Sequence, residues 1–166
     1  MSAWEIELAN GYSGPEVGSN WATQKTSDRV EGDHIVVNGN KLWTSGAEAA
    51  DFVWLAARTD PNLPRHKGVS ILILDTQAEG FSHTVIPTCS NPTAATYYDN
   101  VKVPKDMLVG ELNGGWKLIT AQLNHERLGL GSWSDKTVAL YRRVLLWAKA
   151  QDENGRRLGP QQHATI

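Results

Sequence analysis

Short segments rich in β-branched and aromatic residues, each bounded by turn residues, fill roughly the first two-thirds of the chain. Such segments predict β-strands, because branched and aromatic side chains pack well on a pleated surface. The predicted strands are Trp4–Ala9, Gln24–Val30, His34–Val37, Lys41–Thr44, Phe52–Arg58, Val69–Asp75, Ser82–Ile86 and Thr96–Val101. Many short strands with turns every ~8–12 residues are typical of a β-sandwich or β-barrel. The sequence therefore predicts a mainly β fold.

The dipeptide Asn38-Gly39 is the strongest turn signal within this β region. Asn-Gly between apolar segments favours a two-residue hairpin, because both residues accept a positive φ. That hairpin would deliver Trp43, Thr44 and Ser45 to one place. An indole can stack on a flat heterocycle, and hydroxyl groups can bind its polar edge.

The character of the chain changes after about Glu111, where apolar residues recur at helical spacing. We predict a β domain over residues 1–111 and the start of a helical domain over residues 112–166. Asn113 is suited to cap a helix that starts near Gly114. Gly129 and Gly131 interrupt the helical pattern at some cost in helix propensity, which allows a kink there.

Composition and charge limit the classes of partner. The formal net charge is −2 and gives no general attraction to nucleic acid. No run of about 18 apolar residues exists, so no membrane-spanning helix is predicted. The single cysteine, Cys89, cannot form an intrachain disulfide, which favours a reducing compartment and a cytoplasmic protein.

The common motifs of metal, hydrolase and nucleotide-triphosphate sites are missing from the sequence. The five histidines are scattered and give no zinc-ligand spacing, so no metal site is predicted. There is no Gly-x-Ser-x-Gly nucleophile motif and no phosphate-binding Walker loop.

A turn rich in glycine, proline and serine extends from Tyr12 to Asn20 as Tyr-Ser-Gly-Pro-Glu-Val-Gly-Ser-Asn. Backbone N–H groups in such a turn can cradle a phosphate. Together with the indole of Trp43, the turn suggests that the β domain holds a flavin nucleotide.

The order of several motifs resembles that of the acyl-CoA dehydrogenase family. After the turn at Tyr12 and the Asn-Gly-Asn-Lys-Leu-Trp-Thr-Ser-Gly segment come motifs at residues 57–61, 66–70, 99–104, 108–116 and 125–129. The resemblance implies a middle β domain followed by the first helix of a C-terminal bundle. It also implies FAD as cofactor, an acyl-CoA substrate and an electron-transfer flavoprotein as the next electron acceptor, in lipid metabolism.

The resemblance assigns roles to individual residues of this sequence. The cofactor-binding set that it implies is Tyr12, Ser13, Gly18, Ser19, Trp43 and Ser45. Trp43 would lie beside the isoalloxazine, and the hydroxyl of Ser45 would lie near its N5 atom. Ser19 would also lie near the pantetheine of the substrate.

Glu126 and Arg127 are the candidates for direct contact with the substrate. In some branches of the family a glutamate at the position of Glu126 removes the α-proton of the acyl chain. In most branches the base comes from a later helix, and the alternative is that Glu126 is a solvated helix residue that pairs with a neighbour. Arg127 could meet the CoA moiety or neighbouring loops.

Two positions depart from the family pattern, and the resemblance covers only part of a family member. Gly14 stands where the family has Glu, and Asn20 stands where it has Asp. The expected N-terminal helical domain and the later bundle helices do not appear. We therefore expect a fragment with half of a site, little turnover by the 166-residue chain alone, and association with itself or with other acyl-CoA dehydrogenase chains.

Two alternatives keep the scaffold but change the function. One is an acyl-CoA oxidase or a flavin monooxygenase. The other is a non-catalytic β-sandwich module that assembles with a full-length relative.

Overall fold

A computed structural model describes residues 6–15, 26–89 and 91–150 of the chain. Within these ranges it contains strands β1 Leu8–Gly11, β2 Ser27–Glu31, β3 His34–Lys41, β4 Phe52–Arg58, β5 Val69–Asp75, β6 Phe81–Ile86, β7 Thr93–Pro104 and β8 Leu108–Val109, followed by helix α1 Gly115–Lys149. Short 3-10 turns lie at Arg65–Lys67 and Lys105–Met107. The predicted mainly β fold with a C-terminal helix is confirmed.

The strands follow the order β6-β7-β3-β2-β4-β5-β8, and β1 pairs in parallel with β4. Strands β2 and β4 are joined at a single residue pair, Ser27 with Arg58. The sheet therefore has two halves, one built on β3 and β7 and the other on β4 and β5. Their apolar faces form one core: Ile35, Val37, Val53, Leu55, Ala57, Leu72, Leu74, Tyr98, Val101 and Val103. Packing of two sheet halves on a shared core gives the β-sandwich character that the strand pattern predicts.

Strand β5 shows how the sequence determines the core. It is an almost continuous apolar segment, Val-Ser-Ile-Leu-Ile-Leu-Asp, and it pairs with β4 on one side and with β8 on the other. Strands that are covered on both faces read as unbroken hydrophobic runs. Both faces of β5 are buried from Val69 to Leu72, Ile73 is half-buried and Leu74 is buried, which fits the predicted buried strand.

The predicted hairpin turn at Asn38-Gly39 is wrong, because β3 continues through it. The Asn38 side chain donates from Nδ2 to Asn100 Oδ1 (3.2 Å) and accepts from the Asn100 N–H (2.9 Å), which attaches it to β7. The β3–β7 register shifts between Val37 and Gly39, and Gly39 has a φ of 132°. Asn-Gly here lies at an irregularity within a strand, where the glycine can adopt the positive φ.

The hairpin turn lies earlier, between β2 and β3. Glu31 pairs with His34, and Gly32 adopts a φ of 56° at the turn. The predicted strand Lys41–Thr44 does not form, because β3 ends at Lys41. Two other predicted strands begin at Trp4 and Gln24, which lie outside the described residues.

Helix α1 confirms the predicted helix, but Asn113 does not cap it. The helix begins at Gly115, and Asn113 Oδ1 accepts a hydrogen bond from Thr59 Oγ1 at 2.6 Å. The Asn113 N–H donates to Ser70 Oγ at 2.8 Å, so this residue fastens the turn before the helix to the end of β4 and the start of β5. Gly129 and Gly131 do not break the helix, and a Cβ added at either would meet nothing within 4 Å.

The chain divides into two compact units, Met1–Thr120 and Ala121–Ile166. The first contains all the strands named above. The second, where described, consists of the remainder of α1 and carries several exposed large apolar side chains: Leu128, Trp133, Val138, Leu140, Tyr141, Leu146 and Trp147. Across the described ranges, no helix combines the length and apolarity that crossing a membrane requires.

Candidate functional site

The segment Tyr12–Ser13 is held against the end of β3. Buried Lys41 donates from Nζ to the Tyr12 carbonyl at 3.0 Å, and the Leu42 N–H donates to the Ser13 carbonyl at 2.9 Å. On its other side, the Tyr12 hydroxyl accepts a hydrogen bond from Trp54 Nε1 at 2.8 Å. Tyr12 and Ser13 therefore lie next to the segment that carries Trp43.

Trp43 presents its indole at the surface from a fixed and unusual backbone position. Its side chain is 59% exposed and its φ is +65°. A bulky residue seldom adopts this left-handed region, and it does so only where its surroundings impose it. The neighbours of Trp43 impose it here, since Leu42 is bonded to Ser13 and the Thr44 N–H donates to the Ala94 carbonyl at 2.9 Å. Trp43 is therefore held in place by its neighbours while most of the residue stays exposed to solvent.

Strand β7 supports the two hydroxyl residues that follow Trp43. Thr44 is fully buried, and its Oγ1 lies 3.3 Å from Thr96 Oγ1. Ser45 lies at the surface and donates from Oγ to Thr93 Oγ1 at 3.0 Å. These contacts attach both hydroxyls to the first four residues of β7.

The buried hydroxyl contacts continue inwards to Tyr98. Thr96 Oγ1 lies 2.9 Å from the Tyr98 hydroxyl, so Thr44, Thr96 and Tyr98 form a line of hydrogen-bonded groups beneath the site. Burial raises the pKa of the Tyr98 hydroxyl, and the hydrogen bond with Thr96 opposes that rise. Tyr98 therefore remains a neutral hydrogen-bonding group at neutral pH.

Sequence reasoning overlooked Lys41, Thr93 and Thr96. Lys41 is 1% exposed and holds Tyr12 in place. The sequence signal for Lys41 is its place next to the apolar Leu42 and Trp43. A lysine buried in such a segment needs a hydrogen-bond partner, because lysine is rarely buried without one. For the threonines, the signal was Thr-Ala-Ala-Thr at residues 93–96 in a strand-forming segment.

Two other predicted site residues, Glu126 and Arg127, belong to the second unit and are described within it. Glu126 is exposed on α1 and its Oε1 accepts from Gln122 Nε2 at 3.2 Å. Arg127 is also exposed, with Nη1 3.5 Å from Asn124 Oδ1. Gly18 and Ser19 lie outside the described residues. No group of three or more potential metal ligands occurs among the residues that the structure describes.

The chemistry of the exposed groups around Trp43 fits a flavin. A flat indole face suits an aromatic ring system, and the neighbouring Ser45 hydroxyl and partly exposed Ser13 supply polar groups for its edge. The backbone hydrogen bond from Leu42 to Ser13 brings the segment that contains Ser13 next to the segment that contains Trp43 and Ser45.

Comparison with known proteins identifies the family. Residues 9–101 match the family model of the acyl-CoA dehydrogenase middle domain. Acyl-CoA dehydrogenase FadE29 of Mycobacterium tuberculosis is 48% identical over 155 residues, which cover 92% of this chain and 40% of FadE29.

Two solved structures carry the same fold. The Tcur3481-Tcur3483 steroid ACAD is 49% identical, with a TM-score of 0.80 over 87% of this chain and 38% of that one. The ChsE4-ChsE5 complex of Mycobacterium tuberculosis is 46% identical, with a TM-score of 0.77 over 92% of this chain and 40% of that one. The chain spans 40% of the length of FadE29 and of a second curated relative, FadE26 of the same organism. It belongs to the acyl-CoA dehydrogenase family.

Proposed function

We propose that this chain supplies a flavin-binding surface, formed around Trp43 and Ser45, to an enzyme that performs FAD-dependent α,β-dehydrogenation of an acyl-CoA thioester. The observation that carries the proposal is Trp43. Its indole is exposed, its backbone has a strained φ, and the residues before and after it are held by hydrogen bonds. Strain of this kind is found preferentially at functional sites, where the surrounding structure maintains it. An aromatic cofactor is the ligand that such a surface suits best.

Different residues of this chain would bind different parts of FAD. Trp43 would stack against the flavin ring, while Ser45 and Ser13 would bind its polar edge. The turn with Gly18 and Ser19 would meet the pyrophosphate, and Ser19 also the pantetheine of the substrate. FAD, when bound, supplies the hydride acceptor, and the protein contributes position and electrostatics.

The reaction also needs a base, because the α-proton leaves as the β-hydride is transferred and the carbon–carbon double bond forms. Glu126 is the candidate base of this chain, and Arg127 is the candidate contact for the CoA moiety. If Glu126 is the base, Glu126→Gln should abolish dehydrogenation in the assembled enzyme while flavin binding is retained. Unchanged turnover would assign the proton transfer to another residue.

We further propose that the chain works in association with other acyl-CoA dehydrogenase chains and passes electrons to an electron-transfer flavoprotein. The exposed apolar side chains of α1 support association, since Leu128 is 80% exposed and Leu146 is 71% exposed. The similar ChsE4-ChsE5 protein was solved as a complex, which makes a companion dehydrogenase chain the first partner to test. The similar Tcur3481-Tcur3483 protein is a steroid ACAD, which favours a steroid acyl-CoA as the first substrate.

The stacking role of Trp43 can be tested by titrating FAD into the purified chain. Trp43→Ala should weaken FAD binding about tenfold or more, because stacking on an aromatic side chain contributes roughly 1–3 kcal/mol. Trp147→Ala is the matched control, since Trp147 is 65% exposed on α1 in the second unit. Equal FAD affinity of the two variants would refute the proposed site.

A further inference from the structure

The hydroxyl of Ser45 has its hydrogen directed into the protein. Ser45 Oγ donates to Thr93 Oγ1 at 3.0 Å, and Thr93 is only 5% exposed at the start of β7. A hydroxyl group has one proton to donate and two lone pairs with which to accept. While its proton is held by Thr93, Ser45 can offer only acceptor lone pairs to anything bound at the surface.

The contact between Ser45 and Thr93 is maintained by the backbone around it. The Thr44 N–H is bonded to the Ala94 carbonyl at 2.9 Å, and Ala94 directly follows Thr93 in β7. Thr44 Oγ1 also meets Thr96 Oγ1, and the Ala47 N–H donates to the Thr44 carbonyl at 3.3 Å. The segment that carries Ser45 is therefore fixed against β7 before any ligand binds.

We infer that Thr93 is a positioning residue that holds the Ser45 proton and so makes Ser45 a hydrogen-bond acceptor towards the flavin. The inference rests on the flavin site proposed above. The N5 atom of a flavin carries a hydrogen only in the reduced form and has only a lone pair in the oxidised form. The family resemblance puts the Ser45 hydroxyl near N5. A hydrogen-bond acceptor beside N5 favours the reduced flavin, whereas a hydrogen-bond donor there favours the oxidised flavin. Thr93 would thus raise the reduction potential of the bound flavin without touching it.

The test is the midpoint potential of FAD bound to the purified chain. Thr93→Val removes the acceptor for the Ser45 proton and frees that proton to bind the oxidised flavin. We expect the ratio of reduced to oxidised flavin at a fixed potential to fall about tenfold, which corresponds to about 30 mV for a two-electron couple. Thr93→Ser keeps a hydroxyl and should restore the potential of the unmodified chain.

A Ser45→Ala background separates this role from a general effect on structure. If Thr93 acts through Ser45, adding Thr93→Val to Ser45→Ala should leave the potential unchanged. Equal shifts in both backgrounds, or no shift in Thr93→Val alone, would overturn the inference while leaving the flavin site intact. A chain that takes up no FAD would overturn the proposed function and this inference with it.

Discussion

Replacing Thr96 with valine removes one buried hydroxyl while keeping nearly the same side-chain shape. Thr96 is fully buried in β7, and its Oγ1 joins Thr44 Oγ1 at 3.3 Å to the Tyr98 hydroxyl at 2.9 Å. Thr44 is fully buried and Tyr98 is 3% exposed. Thr96→Val therefore breaks two hydrogen bonds and leaves two buried hydroxyls each without this partner.

The size of the effect follows from these two contacts. Each hydrogen bond contributes about 1 kcal/mol net, and a buried polar group that loses its partner costs about 1–3 kcal/mol. The more favourable burial of valine offsets part of this loss. We expect Thr96→Val to reduce the free energy of unfolding by about 2–3 kcal/mol, a large part of the ~5–15 kcal/mol of a typical domain.

Urea unfolding followed by tryptophan fluorescence measures this loss as a shift in the midpoint. Thr84→Val is the matched control, because Thr84 is exposed on the neighbouring strand β6 and should change stability by less than about 0.5 kcal/mol. Tyr98→Phe added to Thr96→Val should cost little more than Thr96→Val alone, since the unpaired Tyr98 hydroxyl is then gone. A Thr96→Val loss no larger than the control, or strictly additive losses in the double variant, would refute the reasoning.

Three further predictions concern backbone and pH. Gly39→Ala should lower thermal stability by about 1–3 kcal/mol, because Gly39 has a φ of 132° and the new Cβ would lie 2.8 Å from Thr26 Cα. Gly131→Ala should raise it by roughly 0.5–1 kcal/mol in the helix, since nothing lies within 4 Å of the added Cβ; a loss would show that this face of α1 is packed. Because burial raises the pKa of Tyr98, stability should be level below the unfolded-state pKa of about 10 and fall as pH rises above it. An alkaline titration in which Tyr98→Phe retains that fall would contradict the assignment.

The strands were predictable because their signal is local. Phe52–Arg58 and Val69–Asp75 were predicted with the bounds that the structure shows. Their branched and apolar side chains predict a buried strand whichever strands they pair with. The helix after Glu111 was predictable for the same reason, since its apolar spacing is a local property of the sequence.

The turn at Asn38-Gly39 was mispredicted because a positive φ serves two structures. A type I′ hairpin requires it and a strand irregularity can also contain it, and here Asn38 binds Asn100, which lies far along the chain. Local sequence could not show that Asn38 binds Asn100, nor that Gly32 would make the turn instead.

The candidate site residues come from the resemblance and not from spacing alone, and their role in binding stays a prediction. The hydrogen bond from Leu42 to Ser13 does bring the segment of Tyr12 and Ser13 next to the segment of Trp43 and Ser45. The support beneath them comes from Lys41 and β7, whose contribution depends on strand pairing over more than 40 residues. No local pattern predicts such pairing between distant hydroxyls.

The most direct test of the flavin site is the visible absorbance spectrum of the purified chain after FAD is added and the excess is removed by gel filtration. If the flavin binds at the surface around Trp43 and Ser45, the unmodified chain should retain a flavin spectrum. The Trp43→Ala variant should lose that spectrum, and the Trp147→Ala variant should keep it. A colourless chain would contradict the flavin site and would favour a scaffold module whose chemistry belongs to a partner chain.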